Sequence, residues 1–305
     1  MITAIFKKSK PINIVVVVLF VMALYVAVNF NAVSEENYSY FQQLAKLFIV
    51  MFAIFLLEFI VSKNKLTKRN SYAIMTFALL LALFPKVLMY LHLIVANLFI
   101  MFALRRLISL HSKLNIKKKL FDAGFWMALA SLFYVWALLF FVIIIVALIY
   151  YWQNDIKNAV IPFLGVLTVA IILVTFNIMM HGDYLQDNTF IPYSSLNFSA
   201  YNSASGILTL TIGASMFVWM AVYYFKQIKD RNKTLRPVYF LIVWSAIIAV
   251  LVAVISPVKD GSEFIFLLAP FSIMMSNYIE RIEETWFREV FVSLLIITPL
   301  LRLVL

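Results

Sequence analysis

Residues 124–152 read GFWMALASLFYVWALLFFVIIIVALIYYW, 29 positions without a single charge. An uncharged apolar run of this length belongs in hydrocarbon rather than in the core of a soluble domain. As one helix it would measure about 43 Å, more than a bilayer core of about 30 Å takes up at the usual tilt. Two short helices turning near Ser131 to Tyr134 fit better, although no Gly or Pro marks the turn. Half-length helices persist only where protein covers their ends or a wet cavity receives them, so this block is also a candidate wall of a site.

The rest of the chain is of the same kind. Of its 305 residues 65% are apolar and 13% charged, where a soluble domain would be nearer half and a quarter. Further apolar runs cover about Ile12 to Asn29, Leu44 to Ser62, Tyr72 to Leu104 (split at Pro85-Lys86), Ala159 to Met180, Gly206 to Phe225, Pro237 to Ile255, Glu263 to Asn277 and Val290 to Leu305. The expected fold is an all-α, polytopic transmembrane helix bundle of about 11 membrane segments, forming a single integral membrane domain over residues 1–305.

Basic clusters orient the segments, because positive flanks resist translocation. Lys7, Lys8 and Lys10, the Lys63 to Arg69 turn, the Arg105 to Lys119 stretch and the Lys226 to Arg236 loop all fall on one side if the 124–152 block crosses twice. In that arrangement 21 of the 25 basic residues are cytoplasmic, the exceptions being Lys46, Lys86, Lys259 and Arg302. The N-terminus is then inside, the C-terminus outside, and the first apolar run is an uncleaved span rather than a signal peptide. A final stretch from Glu280 to Glu289, with Arg281–Glu284 and Glu284–Arg288 spacings, reads as a short interfacial helix.

The composition excludes several classes of chemistry. There is no cysteine for a disulfide, a thiolate nucleophile or an iron–sulfur site, and no glycine-rich phosphate loop. The net charge of +11 reads as orientation and contact with anionic lipid, not nucleic-acid binding, since the basic loops are short and lack interleaved aromatic residues. No internal repeat and no cofactor motif is visible.

Ionisable residues within spans are functional candidates because lipid makes them expensive. Glu58 reads either as an ion pair with Lys63 or the Arg105-Arg106 pair, or as a relay for protons or substrate. His92 and Asn97 read as interhelical hydrogen-bonding groups. Lys86, after Pro85 at the outer end of a short segment, can meet a phosphate or carboxylate in a funnel, or snorkel to headgroups. In the first outer loop Glu35 and Glu36 sit where a lipid-bound headgroup would need a general base, and read otherwise as a solvated acidic pair. His181, Asp183 and Asp187 lie in a long polar outer segment suited to sugar contact, and their spacing matches no recognised metal-ligand pattern. Lys259 and Asp260 form an outer turn with Glu263.

Four stretches together resemble a known group of sequences: Phe6-Lys7-Lys8-Ser9-Lys10-Pro11-Ile12-Asn13, Ser62-Lys63-Asn64-Lys65-Leu66-Thr67, Leu104-Arg105-Arg106-Leu107 and Lys119-Leu120-Phe121-Asp122-Ala123-Gly124-Phe125. They look like an uncharacterised family of polytopic membrane proteins of flavobacteria and other Bacteroidetes. The resemblance spans most of the chain and implies a Gram-negative inner membrane, with no activity to transfer. A second likeness is architectural. The number of spans, the acidic first outer loop and the helix pair after Phe121-Asp122-Ala123-Gly124 are similar to membrane glycosyltransferases that use polyprenyl-phosphate sugars. That likeness implies Glu35 or Glu36 as base, Lys86 on the lipid phosphate and the loop from His181 on the acceptor, although this first loop is shorter than in such enzymes. A transporter or flippase and a non-catalytic subunit of envelope machinery are the competing expectations.

Overall fold

The computed structural model describes residues 2–30, 39–151, 157–180 and 193–304, and among these every regular element is helical. The helices are α1 (Ile2–Phe6), α2 (Pro11–Asn29), α3 (Tyr40–Lys63), α4 (Tyr72–Leu83), α5 (Leu91–Ile108), α6 (Ile116–Phe133), α7 (Phe141–Tyr150), α8 (Lys157–Met179), α9 (Ala204–Ile228), α10 (Arg236–Ile255), α11 (Ile265–Arg281) and α12 (Thr285–Val304). Among the described residues seven helical stretches are long and apolar enough to cross a membrane, and Tyr72–Leu83 and Val135–Tyr150 are shorter apolar ones. The chain is a multi-pass membrane protein.

Backbone packing divides it into two compact units. The first holds residues 1–94, 196–231 and 258–305. Its centre is α4, all 12 residues of which are buried, packed along α11, which is buried from Ile265 to Ile279. A helix that is apolar on every face needs protein or lipid all round it, and here α2, α3 and α12 supply protein around α4. Thr76 donates to the backbone of its own helix and, at 3.2 Å, to the Ser272 carbonyl of α11. Satisfied in this way, a hydroxyl can sit in a dry interface.

At one end of this unit the acidic residues near 280–289 have long-range partners. The expected interfacial helix does not form: α11 stops at Arg281, residues 282–284 are non-helical, and α12 starts at Thr285. Glu289 instead accepts from Ile2 N and Thr3 N, both at 3.1 Å, and from the Thr3 hydroxyl. It thereby caps the amides that open α1, which have no partner within the helix. Glu280 accepts from Lys68 N at 2.7 Å and Asn70 Nδ2 at 2.8 Å, while Arg281 pairs with Asp230 at 3.5 Å. These tertiary bonds replace the local pairs that the i,i+3 and i,i+4 spacing suggested.

The second unit holds residues 95–195 and 232–257. The break in the 124–152 block falls at Tyr134, which is extended (φ −151°, ψ 107°) between α6 and a 3-10 stretch, Val135–Phe140, that leads into α7. The first helix of the pair begins at Ile116, earlier than the apolar run, because its charged start has local partners. Arg106 pairs with Asp122 at 2.8 Å, and Lys119 Nζ donates to Ser109 O and Ser112 Oγ. Against α6 lies α8, at a spacing that only glycine permits. A Cβ on Gly124 would lie 2.2 Å from the Pro162 carbonyl oxygen, and one on Gly165 would lie 2.5 Å from that of Phe121. Small residues at such contacts let helix backbones approach in a membrane.

Candidate functional site

The short helix α4 sets up the site. Twelve residues at 1.5 Å each reach about 18 Å, so α4 ends well short of a full crossing. Phe84 leaves the helix and Pro85, with no amide proton to extend it, opens the 3-10 turn Pro85–Leu88 that carries Lys86. Above this shortened helix the first unit has a cavity of about 190 Å³. Lys86, Lys259 and Arg302 line it, together with the hydroxyl-bearing residues Tyr201, Ser203 and Thr209.

Each cation arrives from a different element. Lys86 comes from the turn after α4, Lys259 from the loop before α11, and Arg302 from the last turn of α12. Lys259 is only 5% exposed, with its ammonium 5.0 Å from the centre of the Phe198 ring. Burial pushes its pKa down, and the charge of Glu263 partly opposes that shift. Among the described residues neither Lys86 nor Arg302 makes an ion pair. The first turn of α9 adds its own positive end. Ser203 caps that helix by accepting from Gly206 N at 3.1 Å, and both residues line the cavity.

The two carboxylates nearby are consumed in holding the walls. Asp260 Oδ1 accepts from Ser262 N at 3.0 Å and Ser262 Oγ at 2.6 Å, and its Oδ2 accepts from Tyr90 at 2.9 Å. Glu263, 2% exposed, accepts from Gly261 N at 2.8 Å and from the Tyr201 hydroxyl. Gly261 makes this turn possible: its φ of +100° is a conformation that side-chain-bearing residues rarely adopt. Burial raises the Tyr201 pKa, and the Glu263 charge adds to it; burial also raises that of Tyr90. Both phenols therefore stay protonated and act as donors at neutral pH. Formally the cavity and its backing hold three cations against two engaged carboxylates. Such an arrangement takes an anion and offers hydroxyls to whatever polar group the anion carries.

Of the residues singled out by sequence, Lys86, Lys259 and Asp260 thus meet at one cavity, with Asp260 as a strut rather than a ligand. Glu35, Glu36, His181, Asp183 and Asp187 lie outside the described residues. Glu58 Oε2 is buried without a hydrogen-bond partner among the described residues. His92 meets Tyr90 edge to face, with ring centres 5.9 Å apart. Asn97 donates to Met101 Sδ at 3.8 Å on its own helix. Sequence reading missed Tyr201, Ser203, Thr209 and Arg302 as site residues. A signal for Arg302 was present: three of the four basic residues that broke the cytoplasmic count line this one cavity. The fourth, Lys46, is buried with its ammonium on Asn29 Oδ1 at 3.0 Å and the Met89 carbonyl at 3.1 Å.

One family model, described as a family of unknown function (DUF6427), matches residues 1–303. Comparison with curated proteins gave no match, and neither did comparison with solved structures.

Proposed function

We propose that this chain, which belongs to the DUF6427 family of unknown function, binds a phosphate-bearing membrane lipid and handles polyprenyl-linked sugars for envelope glycans. The observation that carries this reading is the meeting of Lys86, Lys259 and Arg302 around a cavity lined with hydroxyls. A cation that breaks the cytoplasmic bias is costly to translocate, and three such cations at one place argue for an anionic ligand there. With the N-terminus cytoplasmic, this end of the first unit faces the periplasm of a bacterial inner membrane. A phosphate would take charge-assisted hydrogen bonds from the three cations, while Tyr201, Ser203 and Thr209 would meet sugar hydroxyls.

On the glycosyltransfer reading, Glu35 or Glu36 supplies the base that activates the acceptor hydroxyl, and the segment with His181, Asp183 and Asp187 receives the acceptor. The test is mass spectrometry of polyprenyl-linked sugars in a deletion strain carrying wild-type protein, Lys86→Gln with Arg302→Gln, or Glu35→Gln with Glu36→Gln. One lipid-linked sugar should accumulate in the deletion strain and in both variants. An unchanged pool, with the protein present in the parent membrane, would remove the glycosyltransfer assignment.

A second reading, transport or flipping of the lipid, is favoured by one observation. Glu58 places a buried carboxylate oxygen, without a hydrogen-bond partner among the described residues, inside the span formed by α3. Intramembrane acids of this kind often serve proton relays. Glu58→Gln would abolish such movement and leave a transferase active.

A further inference from the structure

A second cavity of the first unit, apolar and about 480 Å³ in volume, is lined by parts of α2, α4 and α12. Leu24 and Ala27 come from α2, Ala82 from α4, and Leu295 and Pro299 from α12. Two of these are alanines, whose short side chains leave the space that larger neighbours would fill. Arg302 lines this groove as well as the polar cavity. At the rim Phe20 and Leu300 are 42% and 57% exposed, so the groove is open along its side.

We infer that one amphiphile occupies both cavities: a lipid phosphate whose headgroup lies among Lys86, Lys259 and Arg302 and whose hydrocarbon chain lies in the groove between α2, α4 and α12. The inference rests on the phosphate-binding reading above and adds where the tail goes. Arg302 is the junction. A guanidinium at the mouth of an apolar groove would be poorly placed for bulk lipid tails alone, and well placed for the phosphate that begins a single tail. Burial of hydrocarbon gains little over the surrounding bilayer, because lipid tails are as apolar as the groove. Selection therefore comes from the phosphate, and the groove fixes the position of the chain.

The test uses the full chain in nanodiscs of phosphatidylcholine and two readouts. The first is stabilisation against heat by inorganic phosphate, which reports on the polar cavity alone. The second is photolabelling by a long polyprenyl monophosphate with a diazirine in its chain, beside the corresponding alcohol and a diacyl phosphatidic acid with the same group. The expected result is label in residues 20–28, 79–85 and 295–300, about tenfold stronger for a phosphate than for the alcohol, as charge-assisted bonds to the headgroup require. Arg302→Gln should remove most of it. So should Ala27→Trp, which fills the groove from an exposed position; its unfolding profile checks that it is folded. Label from the prenyl or the diacyl phosphate supports the inference and tells the two lipid sources apart. Equal label from phosphate and alcohol, spread over lipid-facing helices while inorganic phosphate still stabilises the chain, would overturn the inference and leave the headgroup reading standing. Loss of both signals would overturn the headgroup reading itself.

Discussion

The Tyr90 hydroxyl donates to Asp260 Oδ2 at 2.9 Å and so ties the loop that carries Lys259 to the segment just ahead of α5. This bond makes Asp260 a fixed strut, since its other oxygen is held by Ser262. Tyr90→Phe removes the bond while keeping the ring beside His92. The variant should lose about 1.5–3 kcal/mol of stability, as for a hydrogen bond to a charged group, and should bind phosphate several-fold more weakly. Thermal unfolding and phosphate titration in nanodiscs measure both; unchanged values for both would show that Asp260 does not position the loop.

Gly261→Ala strains the same loop through its backbone. At a φ of +100° an added Cβ costs about 1–3 kcal/mol, even though its nearest side-chain neighbour would be Phe84 at 3.9 Å. The loss should appear both in unfolding and as weaker phosphate binding, because Lys259, Asp260 and Glu263 flank the turn. A melting temperature equal to wild type would mean that the loop relaxes without cost.

The pH dependence of binding follows from Lys259. Burial holds its pKa below the ordinary lysine value of 10.5, so in the native chain it loses its proton earlier than an exposed lysine. Phosphate affinity should therefore decline as pH rises through that lowered value, at a lower pH than other lysines would give. The native chain without ligand moves the other way: the cost of burying the ammonium is present at lower pH and is relieved as pH rises towards the unfolded value. Lys259→Arg should flatten the affinity profile. An identical profile in that variant would remove Lys259 from the binding site.

Gly124→Ala tests the second unit by itself. The new Cβ would lie 2.2 Å from the Pro162 carbonyl oxygen, so α6 and α8 must separate, at a cost of about 1–3 kcal/mol. Proteolysis between α6 and α8 should accelerate. Normal resistance would show that the close approach is not needed.

The membrane class and most helix positions were legible because uninterrupted hydrophobicity and single prolines are local signals. Pro85 and the run before it marked the short α4 and its turn, and the 124–152 block broke at Tyr134 within the expected interval. The acidic stretch near residue 284 was misread because its local pairing pattern is indistinguishable in sequence from side chains that reach Thr3 or Asn70 about two hundred or more positions away. The start of α6 was missed for a similar reason: the charges of Lys117 to Lys119 hid a helix whose partners lie on the preceding turn. At the site, Lys86 and Lys259 stood out as charges in the wrong place, whereas Tyr201, Ser203 and Thr209 are ordinary polar residues until the fold gathers them around those charges.

Anion binding by the basic cavity is the central claim. Calorimetric titration of inorganic phosphate and pyrophosphate into the full chain in phosphatidylcholine nanodiscs, for wild type and for Lys86→Gln with Arg302→Gln, measures it directly. Saturable binding that weakens by about a hundredfold in the double variant is the expected result, about tenfold for each charge-assisted hydrogen bond that the substitutions remove. Equal affinity in the two proteins, or no binding to a wild type shown to be folded, would contradict it.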